Sequence, residues 1–273
     1  GAEGTIGVVT AAALKLFPII QNKALAIVAV KNISKGIDLL NEIKITALEY
    51  LSSFELNSAV GFKLIKKNFP EIKLPFNNKY AWYIIIELST HSNNDLNIEL
   101  SKILKYNLKK GNILDFIQSK DKIQANSIWQ TRELLNKAQK MEGPSIKHDI
   151  SIPLSNISSF IRIVEKKLLN YVEKEKILIF GHLADGNLHY NIKGDSKYSL
   201  KKFENLRKII NNIVFEIVYK FQGSFSAEHG IGVFKMNELL KYSSKEEYKL
   251  KKSLKYFLDP KGIMNSGKIF PNN

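Results

Sequence analysis

Cysteine is absent from this 273-residue sequence. Its absence excludes disulfides, thiolate-held iron–sulfur clusters and zinc sites built on Cys, so any metal held by this chain takes His, Asp or Glu as ligands. Arginine is nearly absent too: Arg132, Arg162 and Arg207 are the only three, so the formal net charge of +15 comes almost wholly from Lys. The lysines fall in scattered pairs such as Lys66-Lys67, Lys109-Lys110 and Lys251-Lys252, interleaved with Asn and Ile. That distribution describes a solvated basic surface able to steer anions, and no base-reading motif accompanies it, so no nucleic-acid partner is expected.

Low-complexity tracts, a Gly/Ser linker, a clear repeat and a membrane-length apolar run are also missing. The most apolar stretch, TIGVVTAAALKLFPII, is interrupted by Lys15 and lacks a cationic leader, so neither a membrane span nor a signal peptide is expected. A cytoplasmic, bacterial-type location follows as the expectation. The chain opens at Gly1 without Met, and Ile6, Val8 and Val9 beside the glycines at 4 and 7 read as a strand arriving from elsewhere, so the natural N-terminus is expected upstream.

What is present alternates between β-rich runs and amphipathic helices. Strands are expected at Ala24–Val30, Ile45–Tyr50, Tyr80–Glu87, Asn112–Ile117, residues 145–152 and Ser224–Glu228. Helices are expected at Ile33–Ile43, Phe54–Asn68, Leu96–Tyr106, Ala125–Met141, Ile157–Leu169 and Leu200–Tyr219, with further helix up to Asp259-Pro260. This order predicts an α+β fold with a largely antiparallel sheet covered by helices, mostly on one side, and the opposite face free to close over something.

Three polar clusters carry chemistry. In GHLADGNLHYNI, a two-residue turn at Asp185-Gly186 would set His182 opposite His189 on one hairpin face, with Asn191 on the same side. Two imidazoles so placed either face water or share a metal ion. In SAEHGIGVFK, Glu228 and His229 are adjacent, and Gly230 and Gly232 permit a bend that turns both toward one site; a plain surface turn is the alternative. One carboxylate and two imidazoles suit Zn²⁺ or Mn²⁺ with open positions. The third cluster is cationic, with Arg132 on the helix IWQTRELLNKAQK and Lys147 in SIKHDISIP; Arg is suited to bidentate carboxylate binding, but taken alone Arg132 reads as an exposed pair with Glu133 and Lys147 as one lysine among many on a basic surface.

Taken in order, GAEGTIGVVTAAALKLFP, WQTRE, SIKHDISIP, GHLADGNLHYNI, SAEHGIGVFK and LDPKGIMNSGKIF resemble successive landmarks of the FAD-linked 2-hydroxy-acid dehydrogenases. This group, which includes D-lactate dehydrogenase, the glycolate oxidase flavoprotein subunit and D-2-hydroxyglutarate dehydrogenase, lies in the vanillyl-alcohol oxidase/p-cresol methylhydroxylase superfamily. The resemblance covers nearly the whole chain and marks it as a C-terminal fragment. It implies that His182, His189 and Glu228 hold a divalent metal, Zn or Mn, and that His229 is the base. It further implies that Arg132, Lys147 and Asn191 hold the substrate, and that Glu3, Gly4, Thr5, Ile6, Gly7, Val8 and Asn265 belong to the FAD site. Residues 1–20 would be the last strand region of an FAD-binding domain, 21–245 a substrate-binding cap domain, and 246–273 a segment returning to the FAD-binding domain.

The implied activity is metal-assisted oxidation of a small D-2-hydroxy acid to the 2-oxo acid by hydride transfer to FAD. The electron acceptor is undefined, homodimeric assembly is compatible, and the fragment alone would be inactive. Three positions depart from the pattern: Asn136 replaces a Thr of some relatives, Ala184 a Gly and Ser266 a Pro. The first leaves the substrate side chain open. Two alternatives are a metal-dependent hydrolase using the same His/His/Glu set and, from charge alone, a nucleic-acid-binding module.

Overall fold

The computed structural model describes residues 1–76, 79–195 and 197–271. The elements run β1 (Asn22–Val30), α1 (Ile33–Thr46), β2 (Leu51–Ser58), α2 (Ala59–Asn68), β3 (Trp82–Thr90), α3 (Leu96–Lys110), β4 (Asp115–Gln118), α4 (Lys122–Met141), β5 (Ser145–Ser151), α5 (Ile157–Leu168), β6 (Ile177–His182), β7 (Asn187–Lys193), α6 (Leu200–Lys220), α7 (Met236–Tyr242) and α8 (Lys245–Leu258). The strands form one seven-stranded sheet in the order β4-β1-β3-β2-β6-β7-β5. Every neighbouring pair is antiparallel, so the fold is α+β as expected.

Side-chain alternation divides the sheet into two unlike faces. Val28, Leu56, Ile84, Ile179 and Tyr190 point to one face, where the apolar sides of α1, α3, α5 and α6 cover them in the main core. Ile27, Tyr83 and Ile85 point to the other, under Phe62 of α2 and Ile128 of α4. Leu178 and Phe180 of β6 lie beneath Ile65, Leu135 and Ala138 of the same two helices. The second face is therefore not left free: α2 and α4 cover its middle, and what stays open is a cleft over β2, β6, β7 and β5. Burial of both faces explains why β1 and β3 read as continuous apolar runs instead of alternating ones.

The structure moves three of the expected strands. Residues 45–50 finish α1 and make a 3₁₀ turn at Leu48–Tyr50, while residues 51–58, split in the sequence reading between a connection and the start of a helix, form β2. In β2, Glu55 and Asn57 alternate with Phe54 and Leu56, and all four are buried. Polar side chains buried on the cleft face hide the strand period, because polar positions ordinarily mark solvent. Ser224–Glu228 is not a strand but a loop tied to β5 by one bridge, Ser151 to Ser224. Residues 6–9 have no strand structure, and Val8 and Val9 are exposed.

Beneath α6, on the core face of β5, lies His148. It is 1% exposed, with Nδ1 2.7 Å from the Tyr190 carbonyl oxygen and Nε2 3.0 Å from the Asn211 side chain. Burial pushes its pKa down from the ordinary 6.5 to about 4. Below pH 6.5 the unfolded chain binds a proton that the folded chain refuses until about pH 4, so stability is lost as pH falls through that window. The expected loss is about 2 kcal/mol at pH 5. Thermal or urea unfolding at pH 7 and pH 5 measures it, and His148→Gln is expected to remove that part of the pH dependence.

Candidate active site

The hairpin of β6 and β7 closes through a 3₁₀ turn, Leu183–Asp185, followed by Gly186 at φ 73°. A two-residue type I′ turn would need positive φ at Asp185 as well, and Asp185 does not adopt it. The loop is consequently longer, and His189 pairs with Phe180, not with His182. The displacement from the expected register is two residues, and an even displacement leaves every side chain on its own face. His182 and His189 therefore still share the cleft, with ring centroids 6.1 Å apart. Gly186 is obligatory here: a Cβ would lie 2.3 Å from the Ile152 carbonyl oxygen, just beyond β5.

The loop carrying Glu228 and His229 is folded by two carboxylates. Oδ2 of Asp149, on the cleft face of β5, accepts the backbone N–H of Glu228 and of His229, each at 2.8 Å. From the other side, Glu3 accepts from the N–H of Ile231 at 2.6 Å and of Gly232 at 2.8 Å, close enough that a Cβ on Gly230 would sit 2.5 Å from its Oε1. With the backbone clamped, Glu228 reaches Nε2 of His182 at 3.4 Å and Nε2 of His189 at 4.0 Å. The His229 ring stacks beside His189 at 5.9 Å, its Nδ1 3.6 Å from Asp149. The adjacent pair, which an extended strand would turn to opposite sides, thus faces one site because the segment is a bent loop.

Arg132 projects from α4, whose start is capped by Asp121 and whose buried side is Ile128, Thr131, Leu135, Ala138 and Gln139. It is not paired with Glu133. Its Nε donates to Glu55 Oε2 at 2.8 Å, and the guanidinium lies over the Phe180 ring at 4.8 Å. Glu55 was not singled out in the sequence; its other oxygen lies 2.5 Å from His182 Nδ1. Asn191 is buried, donating to Gln139 Oε1 at 3.0 Å and accepting from the His148 N–H at 3.2 Å. Lys147 and Asn136 are exposed at the mouth, and Lys147 has no hydrogen-bond or ion-pair partner among the described residues. Arg132, Asn136, Lys147, Phe180 and Asn191, with His182, His189, Glu228 and His229, line a cleft of about 400 Å³.

The donor set fits a divalent metal. One ligand atom each from His182, His189 and Glu228 lies within 4.8 Å of the others, and Asp149, Glu228 and His229 form a second, overlapping group. A hydrogen bond from His182 Nδ1–H to Glu55 leaves Nε2 as the free lone pair, the arrangement a metal-binding imidazole requires. Burial, helped by the Arg132 charge, lowers the His189 pKa and so favours the neutral, ligating ring. For Asp149, burial by itself would raise the carboxyl pKa, but the two backbone N–H bonds and the nearby His229 and Lys235 outweigh it and hold the carboxylate ionised below the ordinary 3.8.

The N-terminal stretch meets the C-terminal one beside this loop. Asn265 donates to the Glu3 carbonyl oxygen at 2.6 Å, and Lys255 to that of Thr5 at 2.6 Å. Thr5 is buried, Gly4 and Val8 are exposed, and Ile6 and Gly7 are half-buried.

The family described as FAD linked oxidases, C-terminal domain, matches residues 19–269. A mitochondrial D-2-hydroxyglutarate dehydrogenase of Arabidopsis thaliana is 33% identical over 273 residues, covering 100% of this chain and 47% of the relative. D-2-hydroxyglutarate dehydrogenase of Stutzerimonas stutzeri is 28% identical over 274 residues, 99% of this chain and 57% of the relative. The chain thus spans about half the length of these relatives. Among solved structures, p-cresol methylhydroxylase with substrate bound aligns with a TM-score of 0.67 at 11% identity, over 94% of this chain and 54% of that one, a likeness of fold. The expected cytoplasmic, bacterial-type location does not stand, because relatives from Arabidopsis thaliana and Danio rerio are mitochondrial while one is bacterial. Among the described residues no helix is long and apolar enough to cross a membrane.

Asp149→Ala is expected to leave two backbone N–H groups unpaired, at a cost of about 2 to 4 kcal/mol. Chemical denaturation reads that loss, and limited proteolysis is expected to cut residues 226–232 faster than in the unsubstituted chain.

Proposed function

The chain belongs to the family of C-terminal domains of FAD-linked oxidases, and on that basis we propose that it forms the substrate half of a flavoenzyme that oxidises a small D-2-hydroxy acid to the 2-oxo acid. The observation that carries this reading is the convergence in one cleft of His182, His189 and Glu228 with the ion-paired Arg132. A family relationship supplies the redox class; the cleft supplies groups suited to a carboxylate beside a hydroxyl.

In this proposal His182, His189 and Glu228 would hold a divalent metal, Zn or Mn, which would supply Lewis acidity beside the substrate hydroxyl. FAD, when bound, would supply the two-electron acceptor for the oxidation at C2. Glu3, Gly4, Thr5, Ile6, Gly7, Val8 and Asn265 form this chain's edge of the flavin site. The division into 1–20, a cap at 21–245 and a returning segment at 246–273 belongs to the same proposal.

His229 takes the hydroxyl proton on Nε2, since its Nδ1 faces Asp149. Arg132 binds the C1 carboxylate with its remaining N–H groups, its orientation set by Glu55 and Phe180. Lys147, exposed at the mouth, reaches a second carboxylate, as in the 2-hydroxyglutarate named for the relatives. Asn191 is already hydrogen-bonded on both sides of its amide, so it presents a fixed face to the substrate.

In the flavin-loaded protein, anaerobic D-2-hydroxyglutarate is expected to bleach the oxidised flavin spectrum. His229→Ala is expected to slow that bleaching by about 10²-fold or more with little change in substrate affinity. Full turnover in His229→Ala would remove the base assignment. A spectrum unchanged by any 2-hydroxy acid, together with metal-dependent hydrolysis of an ester or amide, would favour the hydrolase use of the same ligands.

A further inference from the structure

We propose that Glu55, on β2, is the positioning residue for both halves of this site, holding the metal ligand His182 with one carboxylate oxygen and the carboxylate-binding Arg132 with the other. Glu55 is 5% exposed, so its charge has little water to solvate it and depends on protein donors. Those donors are His182 Nδ1 on Oε1 at 2.5 Å and Arg132 Nε on Oε2 at 2.8 Å. Ser53 Oγ adds a weaker contact to Oε1 at 3.3 Å. The inference rests on the metal and substrate reading above and adds a residue to it.

The sheet makes the arrangement specific. Strand β2 lies between β3 and β6, and Glu55 pairs with His182 in the β2–β6 register, so the carboxylate and the imidazole stand side by side on the cleft face. Accepting from Nδ1–H selects the tautomer whose Nε2 lone pair points toward Glu228. Accepting from Nε of Arg132 sets the guanidinium plane and leaves the terminal N–H groups for the cleft. An anion at this point also offsets the repulsion that a metal ion and a guanidinium would otherwise feel.

Glutamine matches glutamate in shape, but its amide puts an acceptor oxygen at one end and a donor nitrogen at the other, so in place Glu55→Gln cannot accept at both positions that His182 and Arg132 now use. Zinc affinity of the full chain, read by competition with a chelator, is expected to fall about 10- to 100-fold in Glu55→Gln. In a His182→Ala background the same substitution is expected to cause no further fall, because the effect travels through His182. A general loosening of the fold would instead weaken zinc binding in both backgrounds. Circular dichroism and thermal melting check that each variant is folded, and Glu55→Asp, which keeps the charge but is too short to reach both partners, replaces Glu55→Gln if that chain does not fold. Unchanged zinc affinity in a folded Glu55 variant overturns the inference while leaving the metal reading intact. An unsubstituted chain that binds no zinc overturns the metal reading, and this inference with it.

Discussion

Buried carboxylates that take their donors from the site itself are the constraint on which the cleft depends. Glu55 and Asp149 are both nearly inaccessible to water, so each must be matched by N–H groups or lose the solvation it gave up. Glu55 is matched by two side chains, His182 and Arg132; Asp149 by the backbone of Glu228 and His229. Pairing both oxygens of Glu55 and Oδ2 of Asp149 is therefore the same event as placing His182, Arg132, Glu228 and His229 in the cleft, while Oδ1 of Asp149 has no hydrogen-bond partner among the described residues. Neither carboxylate need touch substrate for the site to depend on it.

The sheet supplies the frame in which such matching can occur. Its core face is packed by four helices, and that packing pins the register of β6 and β7 through Ile177, Ile179, Tyr190 and Ile192. Once those side chains are committed to the core, His182, His189 and Asn191 have no choice of side. On the other face α2 and α4 cover Leu178 and Phe180 of β6 but leave His182 in the cleft, and α4 delivers Arg132 over Phe180 at the edge of its own buried stripe. The cleft is what remains where the second layer ends.

Much of this was legible in the chain. The helices at Ile157–Leu168 and Leu200–Lys220 follow from apolar spacing, and β5 follows from its alternation and the Pro153 that ends it. The shared face of His182 and His189 survived a wrong turn assignment because parity, not register, decides the side. Strand β2 was misplaced, and Glu55 passed over, for a single reason: its alternating positions carry Glu55 and Asn57, which by type belong in water and in fact are buried. Likewise Ser224–Glu228 has strand-like composition, but the loop from Glu228 to Gly232 turns its N–H groups to the carboxylate acceptors of Asp149 and Glu3 instead.

The sequence by itself determined which side chains a metal could find, since a chain without Cys offers only imidazole and carboxylate ligands, and it determined which residues of the hairpin face the same way. Only the tertiary structure decided which charges are buried and with whom. Arg132 had Glu133 beside it in the chain yet pairs with Glu55, which lies 77 positions away, and the same carboxylate meets His182 across 127 positions. Periodicity reports which side of an element a residue occupies. The environment on that side is set by sheet neighbours and overlying helices remote in sequence, and desolvation there selects the partner.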